Sequence, residues 1–168
     1  WISTNNLRSL AYDSILNIVY VGGVNGKFGF YNLTTNTTYD LSATDPGNFL
    51  AASDTLWGLQ FDPITRLVYL AGGQSSFAVY NLTANITYDL SGSDTNNWLG
   101  SSATLYGLIY NPINQMIYVG GTSGKFGYYN LTSNTTYDLS DVDLGNWTLD
   151  NTLNSLGYSS SNSDMIFI

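Results

Sequence analysis

The chain contains three copies of one sequence pattern, and successive copies are 49 residues apart. Leu7, Leu56 and Leu105 open the three copies, and a fourth begins at Leu153. Most landmarks recur at this offset, namely Tyr20, Tyr69 and Tyr118; Tyr31, Tyr80 and Tyr129; and Asp40, Asp89 and Asp138. Internal repeats of about 20–50 residues are typical of proteins in which each unit packs on its neighbours. The repeat therefore constrains the architecture of the chain more strongly than any single motif.

The opening leucines divide the 168 residues into repeats 7–55, 56–104 and 105–152, followed by a partial repeat 153–168. Residues 1–6 are interpreted as the tail of a preceding repeat, because Trp1 lies six residues before Leu7 as Trp147 lies six before Leu153. We therefore treat residues 1–168 as a single segment of one repeat array.

Each full repeat contains four short runs rich in β-branched and aromatic residues, which in the second copy are 56–61, 67–70, 77–82 and 86–91. Asp62 and Pro63 after the first run fit the first two corners of a type I turn. Gly72 and Gly73 after the second run predict a turn or a bulge. No window has the apolar spacing of a helix. The sequence predicts an all-β fold of β-propeller blades, each made of four antiparallel strands.

The order L-x-x-L-x-Y/F-D/N-P, then I/L-V-Y-V/L, a glycine pair and F-G-x-Y-N-L-T covers nearly the whole chain. It resembles the YVTN, kelch and regulator-type propeller repeats of secreted or cell-surface proteins, archaeal ones among them. Propellers close with about 4–8 blades. Three full repeats with partial blades at each end therefore predict an open arc or, as the favoured alternative, part of a larger ring.

The charge of the chain excludes one class of partner and favours one setting. The net charge is −8, all twelve acids are Asp, and the only bases are Arg8, Lys27, Arg66 and Lys125. Four scattered bases predict neither nucleic-acid binding nor attraction to an anionic membrane, and we interpret them as solvated charges. No apolar run reaches the ~18 residues of a membrane helix, so this segment is not expected to insert into a membrane. A surface rich in Asn, Ser, Thr and Tyr favours an extracellular or cell-surface location.

The long links between repeats share the motif S-x-x-D-x-x-N-F/W. Its acidic, amide and aromatic side chains are candidates for binding sugar hydroxyls and sugar rings, or Ca²⁺, which prefers oxygen ligands. The alternative is structural, with Asp and Asn closing turns and the aromatic residue packed between blades. Apart from Ca²⁺, no cofactor or other metal is predicted. The nine candidates are Asp45, Asn48, Phe49, Asp94, Asn97, Trp98, Asp143, Asn146 and Trp147.

Seven N-x-S/T sequons make N-glycosylation a further expectation for a secreted protein. Six lie in the hairpin between the third and fourth runs, where Asn and Thr also suit a turn, so both interpretations stay open. Their asparagines are Asn32, Asn36, Asn81, Asn85, Asn130, Asn134 and Asn146, of which Asn36, Asn85 and Asn134 are the most loop-like.

The chain has no His, Cys or Glu, so the sequence offers no histidine base, thiol nucleophile or glutamate pair, and no catalytic residue is assigned. We expect a non-enzymatic extracellular propeller that acts as a surface scaffold, adhesion or binding module. Its expected partners are glycans or proteins at the cell surface, or further copies of itself. One alternative is a propeller enzyme, such as a quinoprotein-like dehydrogenase, lactonase or glycosidase, with catalytic residues outside this segment. Another is a subunit of an extracellular filament or surface layer.

Overall fold

The computed structural model describes residues 6–45, 55–90, 99, 103–140, 152–159 and 165–167, the last three by their backbone alone. These residues form three four-stranded antiparallel sheets and one two-stranded sheet. Within each sheet the strands follow one another in chain order, which is the up-and-down arrangement of a propeller blade. The described part of the chain contains no α-helix, only 3₁₀ turns at Ser42–Thr44 and Gly73–Ser75. The predicted fold is therefore confirmed, and the described blades form an open arc.

The first blade consists of β1 (Leu7–Asp13), β2 (Ile18–Gly23), β3 (Phe28–Asn32) and β4 (Thr37–Asp40). The second consists of β5 (Leu56–Asp62), β6 (Leu67–Gly72), β7 (Phe77–Asn81) and β8 (Ile86–Asp89). The third consists of β9 (Leu105–Asn111), β10 (Met116–Gly121), β11 (Phe126–Asn130) and β12 (Thr135–Asp138). The two-stranded sheet pairs β13 (Leu156–Tyr158) with β14 (Met165–Phe167).

The same hydrogen-bonded turn closes the hairpins within each full blade. The carboxylate of Asp13, at the end of β1, accepts the backbone N–H groups of Ile15 and Leu16 at 2.8 and 3.1 Å. Asn17 then takes a left-handed conformation with φ of 55°, which Asn adopts more readily than most residues. The same pairing of an Asx side chain with a left-handed residue four positions later starts at Asn32, Asp62, Asn81, Asn111 and Asn130. The turn predicted after Asp62 and Pro63 is therefore confirmed.

The second strand of the middle blade, β6, is buried on both faces because a neighbouring blade covers each one. In β6, Val68 and Leu70 belong to the core shared with the first blade. Tyr69 and Ala71 alternate with them and belong to the core shared with the third blade. All four side chains are at most 2% exposed. Alternation along a strand thus links two cores through a single strand.

Aromatic contacts of matching geometry hold the blades together at both interfaces. Tyr20 and Phe28 of the first blade lie 6.3 and 5.3 Å from the ring of Tyr80 in the second. One repeat later, Tyr69 and Phe77 lie 6.0 and 5.6 Å from Tyr129. Each such pair adds roughly 0.5–1.5 kcal/mol beyond the area that it buries.

The outward face of the first blade carries the same residue types but is uncovered. Leu10 and Tyr12 of β1 are 63% and 54% exposed, whereas their equivalents Leu59 and Phe61 are 7% and 6% exposed. This face has the composition of an interface between blades, and no described residue covers it.

A charged pair joins the first two blades. Asp13 is fully buried, and its carboxylate lies 3.1 Å from a guanidinium nitrogen of Arg66 in the second blade. The Arg66 guanidinium also lies 5.4 Å from the ring centroid of Phe61. The expectation that Arg66 is a solvated surface charge is therefore wrong, because a buried carboxylate requires a partner.

At the interface between the second and third blades, a different residue accompanies the buried carboxylate. Asp62, the equivalent of Asp13, is also fully buried, and Gln115 replaces Arg66 in the repeat. Tyr110, the equivalent of Phe61, lies beside this carboxylate instead. Burial and the negative charge of Asp62 raise the pKa of Tyr110 to about 12, so Tyr110 stays a neutral donor at physiological pH.

The different partners of Asp13 and Asp62 predict that a second substitution can compensate for the first. Arg66→Gln should lower the free energy of unfolding by about 3–5 kcal/mol, because it leaves Asp13 buried without a cation. Adding Phe61→Tyr should recover part of this loss, since it recreates the arrangement around Asp62. Urea denaturation of both variants measures the change. The control is Arg8→Gln, which removes an exposed arginine and should cost no more than about 1 kcal/mol, the most that its contact with Trp57 contributes at an exposed site. Equal effects of Arg66→Gln and Arg8→Gln would contradict the structural role of the pair.

Candidate functional site

A β-bulge interrupts the first strand of each full blade at the same repeat position. Leu56 pairs with Gly72 and Gly58 pairs with Ala71, so Trp57 between them is the extra residue. The corresponding register shifts leave Arg8 in β1 and Tyr106 in β9 without a partner residue. A bulge re-aims the side chain of its extra residue relative to the regular pleat. The bulges therefore give three chemically different side chains a common placement.

The glycine pair that follows the second strand makes room for this bulge. A Cβ atom on Gly121 would lie 2.5 Å from the carbonyl oxygen of Thr104, just before β9. On Gly72 it would lie 2.7 Å from the carbonyl oxygen of Thr55. Both distances are shorter than a carbon and an oxygen can approach. The pair thus permits the close contact between the second strand and the segment that enters the first strand.

The first strands of successive blades lie side by side, with β5 contacting both β1 and β9, and β9 contacting β13. They surround an open cavity of about 200 Å³, which lies at the inner edge of the arc. Four successive repeats contribute to its wall. Its lining residues are Ser9, Leu10, Trp57, Gly58, Leu59, Tyr106, Gly107, Leu108, Asn154, Ser155 and Leu156. We call this space the axial cavity.

The bulge residues Trp57 and Tyr106 line this cavity, and Arg8 packs on Trp57 beside it. The guanidinium of Arg8 lies over the indole of Trp57, 4.9 Å from the ring centroid. The ring of Tyr106 meets the indole edge-on, with centroids 5.1 Å apart and planes at 64°. A cation over an aromatic face contributes roughly 0.5–1 kcal/mol at an exposed site. The three side chains therefore support one another across three blades.

The rest of the lining is apolar at the base and polar at one side. Leu59, Leu108 and Leu156 are 7–8% exposed, while Asn154 and Ser155 are exposed. The lining residues include no acid. Arg8 forms no salt bridge with any described residue. The salt bridge in the described part of the chain joins Arg66 to Asp13. The cavity thus combines aromatic surface with hydroxyl and amide groups, and the cation that lies beside it forms no salt bridge with a described residue.

The two edges of the blades carry different features. At one edge, which we call the mouth rim, the loops after the second strands bond to the residues that precede the first strands. The N–H groups of Gly73 and Thr122 donate to the carbonyl oxygens of Thr55 and Thr104 at 3.2 and 2.9 Å. The bulge residues lie near this rim, because each follows the first residue of its strand. The opposite edge, the turn rim, carries the Asx-closed hairpins 14–17, 33–36, 63–66, 82–85, 112–115 and 131–134.

The ligand candidates in the long links lie mostly outside the described residues. Asp45 is described and half-buried, and it directly follows the 3₁₀ turn Ser42–Thr44. In the described part of the chain, no group of three or more His, Cys, Asp or Glu side chains is placed to hold a metal ion. The sugar and Ca²⁺ expectations for the links stay predictions. The other eight candidates, Asn48, Phe49, Asp94, Asn97, Trp98, Asp143, Asn146 and Trp147, fall outside the described ranges.

The six hairpin sequons fall into two structural classes. Asn81 is half-buried, and its side-chain oxygen accepts the N–H groups of Thr83 and Ala84, both at 2.9 Å. Asn85 is exposed at the left-handed position, and its side-chain oxygen accepts the hydroxyl of Tyr80 at 2.8 Å. Asn32 and Asn130 belong to the first class, and Asn36 and Asn134 to the second.

Sequence reasoning missed the axial cavity. Arg8, Trp57, Tyr106 and Asn154 each follow an opening leucine, so they occupy one repeat position in four successive units. The residue at this position differs in chemical type between the repeats, whereas the leucine before it is the same in all four. That contrast is the sequence signal that could have indicated the cavity. Arg8 is exposed, as expected. However, interpreting it as a solvated charge alone overlooked its contact with Trp57, because the register shift that brings them together is not encoded locally.

Comparison with known proteins supports the fold and no finer assignment. No protein-family model matches the sequence, and no curated protein matches it. The extracellular domain of BT4673 from B. thetaiotaomicron superposes with a TM-score of 0.70 at 13% identity, over 96% of this chain and 19% of that one. A chain of a nidogen/laminin complex gives 0.71 at 13% identity, over 99% of this chain and 58% of that one.

The β-propeller domain of Cps50 (Swd1) from Myceliophteria thermophila gives a TM-score of 0.67 at 11% identity, over 96% of this chain and 48% of that one. This chain thus spans less than two thirds of the length of each of these three chains. None of the described residues belongs to a helix long and apolar enough to cross a membrane.

The bulge geometry predicts unequal effects of two glycine substitutions. Gly121→Ala should lower the free energy of unfolding by about 1–3 kcal/mol, because the added methyl group meets the Thr104 carbonyl oxygen. Gly127→Ala is the matched control, since Ala78 occupies the equivalent position in the second blade and is fully buried there. It should be neutral or stabilising by up to about 1 kcal/mol. Urea denaturation distinguishes them, and equal losses would show that the glycine pair has no special steric role.

Proposed function

Since the chain has a β-propeller fold, we propose that it is a non-enzymatic binding module of the cell exterior that takes its ligand at the axial cavity. The observation that carries this proposal is the variation of one repeat position. The three full blades share the bulge at this position, so the fold makes a similar demand on it in each of them. Arg8, Trp57, Tyr106 and Asn154 nevertheless differ in charge, size and polarity.

The chemistry of the cavity supports binding rather than catalysis. It combines aromatic surface with a few polar groups, which is the usual composition of a ligand site. The lining includes no carboxylate and no histidine, so no side chain in it is suited to general-base work near neutral pH. Trp, Tyr and Arg are also the residues that most often contribute large shares of binding energy.

An extracellular or cell-surface setting is supported by the surface and by one structural likeness. The exposed polar residues of the turn rim are mainly Asn, Thr and Ser, beside exposed Ile15, Leu16, Leu33, Ile64 and Ile113, and the hairpins there carry six sequons. The similar domain of BT4673 is extracellular. Within this proposal the partner at the cavity is a surface glycan or protein, and the molecule acts in adhesion or as a scaffold.

Glycosylation at the turn rim is compatible with ligand binding at the axial cavity. Each sequon hairpin packs beside the turn between the first two strands, as shown by the 3.0 Å bond from the Leu33 N–H to the Asn17 carbonyl oxygen. Arg8, by contrast, lies next to Leu7 at the opposite end of β1. Glycans on Asn36, Asn85 and Asn134 would therefore extend from the edge remote from the cavity.

Binding to arrayed glycans and surface proteins tests the proposed site. We expect a ligand whose affinity falls about 30-fold with Trp57→Ala, the effect of losing about 2 kcal/mol at an aromatic anchor. Tyr88→Ala is the control, since this tyrosine is exposed on the outer strand β8, away from the cavity lining. Circular dichroism of each variant checks the fold. A ligand equally weakened by both variants, or measurable turnover of a bound compound, would overturn the proposal.

Glycopeptide mass spectrometry of protein from its native source tests the modification. We expect glycans on Asn36, Asn85 and Asn134, because these side chains are exposed at the hairpin tips. A sugar on the Asn85 side-chain nitrogen leaves its oxygen available to the Tyr80 hydroxyl. Asn85→Gln should remove one glycan mass, whereas the matched variant Asn81→Gln should leave the mass of the glycans unchanged. Unmodified asparagines at all three tips would refute this part of the proposal.

A further inference from the structure

We infer that the ligand of the axial cavity carries a carboxylate, and that it is an acidic saccharide such as a uronate. The inference rests on the proposed function and gives the chemical class of ligand for the same site. It depends on the state of Arg8, on the size of the cavity, and on the polar groups around it.

Arg8 is a cation with no acidic partner among the described residues. No described carboxylate forms a salt bridge with it. Its side chain is exposed, so its guanidinium N–H groups are available to a ligand. A guanidinium that is exposed in this way can bind an external anion.

The aromatic residues give the guanidinium a defined position. Its central carbon lies 4.9 Å from the ring centroid of Trp57, and Tyr106 in turn packs edge-on against the indole from the next blade. The planar donors of a guanidinium match the two oxygens of a carboxylate. Because Arg8 is exposed while it contacts Trp57, a carboxylate can reach it beside the cavity.

The size and polarity of the cavity favour a sugar ring attached to this carboxylate. A volume of about 200 Å³ is below the roughly 300–1,000 Å³ of sites for drug-sized ligands, so it suits a single ring. Asn154 and Ser155, both exposed, provide donors and acceptors for ring hydroxyls. The half-buried rings of Trp57 and Tyr106 provide apolar surface for the C–H face of a sugar. An acidic peptide would offer the carboxylate but neither the ring hydroxyls nor the C–H face of a sugar.

Calorimetry with defined oligosaccharides tests the inference. The probes are trigalacturonate, the neutral trisaccharide of galactose, and a tetraglutamate peptide. Trigalacturonate should bind at least about tenfold more tightly than the neutral sugar, as expected for a charge-assisted hydrogen-bonded pair. Arg8→Gln should abolish this preference, and Arg8→Lys should restore only part of it, because a lysine lacks the bidentate geometry.

Lys27→Gln is the matched control, since it removes one positive charge from the mouth rim, whereas the cation that lies over Trp57 is Arg8. It should leave the preference for trigalacturonate intact. Equal affinities for the acidic and neutral sugars would overturn the inference, as would binding of tetraglutamate alone. A ligand found on the array that is lost with Trp57→Ala but not with Arg8→Gln would also overturn it while leaving the proposed function standing. Loss of the preference with Lys27→Gln would show that general electrostatic attraction, rather than Arg8, recognises the carboxylate.

Discussion

Burial of the second strand on both faces is the constraint on which the rest of this structure depends. A strand such as β6 places Val68 and Leu70 on one face and Tyr69 and Ala71 on the other, all nearly inaccessible to solvent. A single four-stranded sheet cannot cover both faces of its own strand. Each blade therefore requires a neighbour on each side, and the repeat follows from this requirement. The same logic explains why Leu10 and Tyr12, on the uncovered side of the first blade, are apolar.

The close packing that this constraint imposes also produces the axial cavity. Within a blade, the second strand can approach the residues that enter the first strand only if it presents little side chain there. Gly72 and Gly121 meet this condition, and each pairs next to a bulge in the first strand of its own blade. The bulge residue is thereby released from the pleat and from the core. A steric requirement of the fold thus generates, in every copy, one position at which the choice of side chain is free.

The sequence predicted the features that depend on local chemistry. The strands of each blade follow from alternating β-branched and aromatic residues, and the hairpins follow from Asx and left-handed residues at fixed offsets. It did not predict the role of Arg66, because the buried Asp13 that it contacts lies 53 positions away in another blade. Nor did it predict the cavity, whose residues meet only through a register shift in three sheets. The ligand candidates in the long links were predicted from a motif that recurs in every repeat. The cavity residues Trp57, Tyr106 and Asn154 instead occupy a repeat position whose residue differs from copy to copy.

Several of the described carboxylates are engaged with backbone groups at strand ends, where they close turns. Asp13 and Asp62 accept the N–H groups of the residues two positions later, and Asp40 accepts that of Ser42 at 2.8 Å. Although burial raises the pKa of Asp40, the bonds from Ser42 lower it below its usual value, as expected for an engaged carboxylate.

An acid used in this way is fixed at the end of its strand by its bonds to backbone N–H groups. Arg8, which lies over Trp57 beside the axial cavity, forms no salt bridge with any described carboxylate. A ligand that brings a carboxylate to this cavity would supply the partner that the described acids do not.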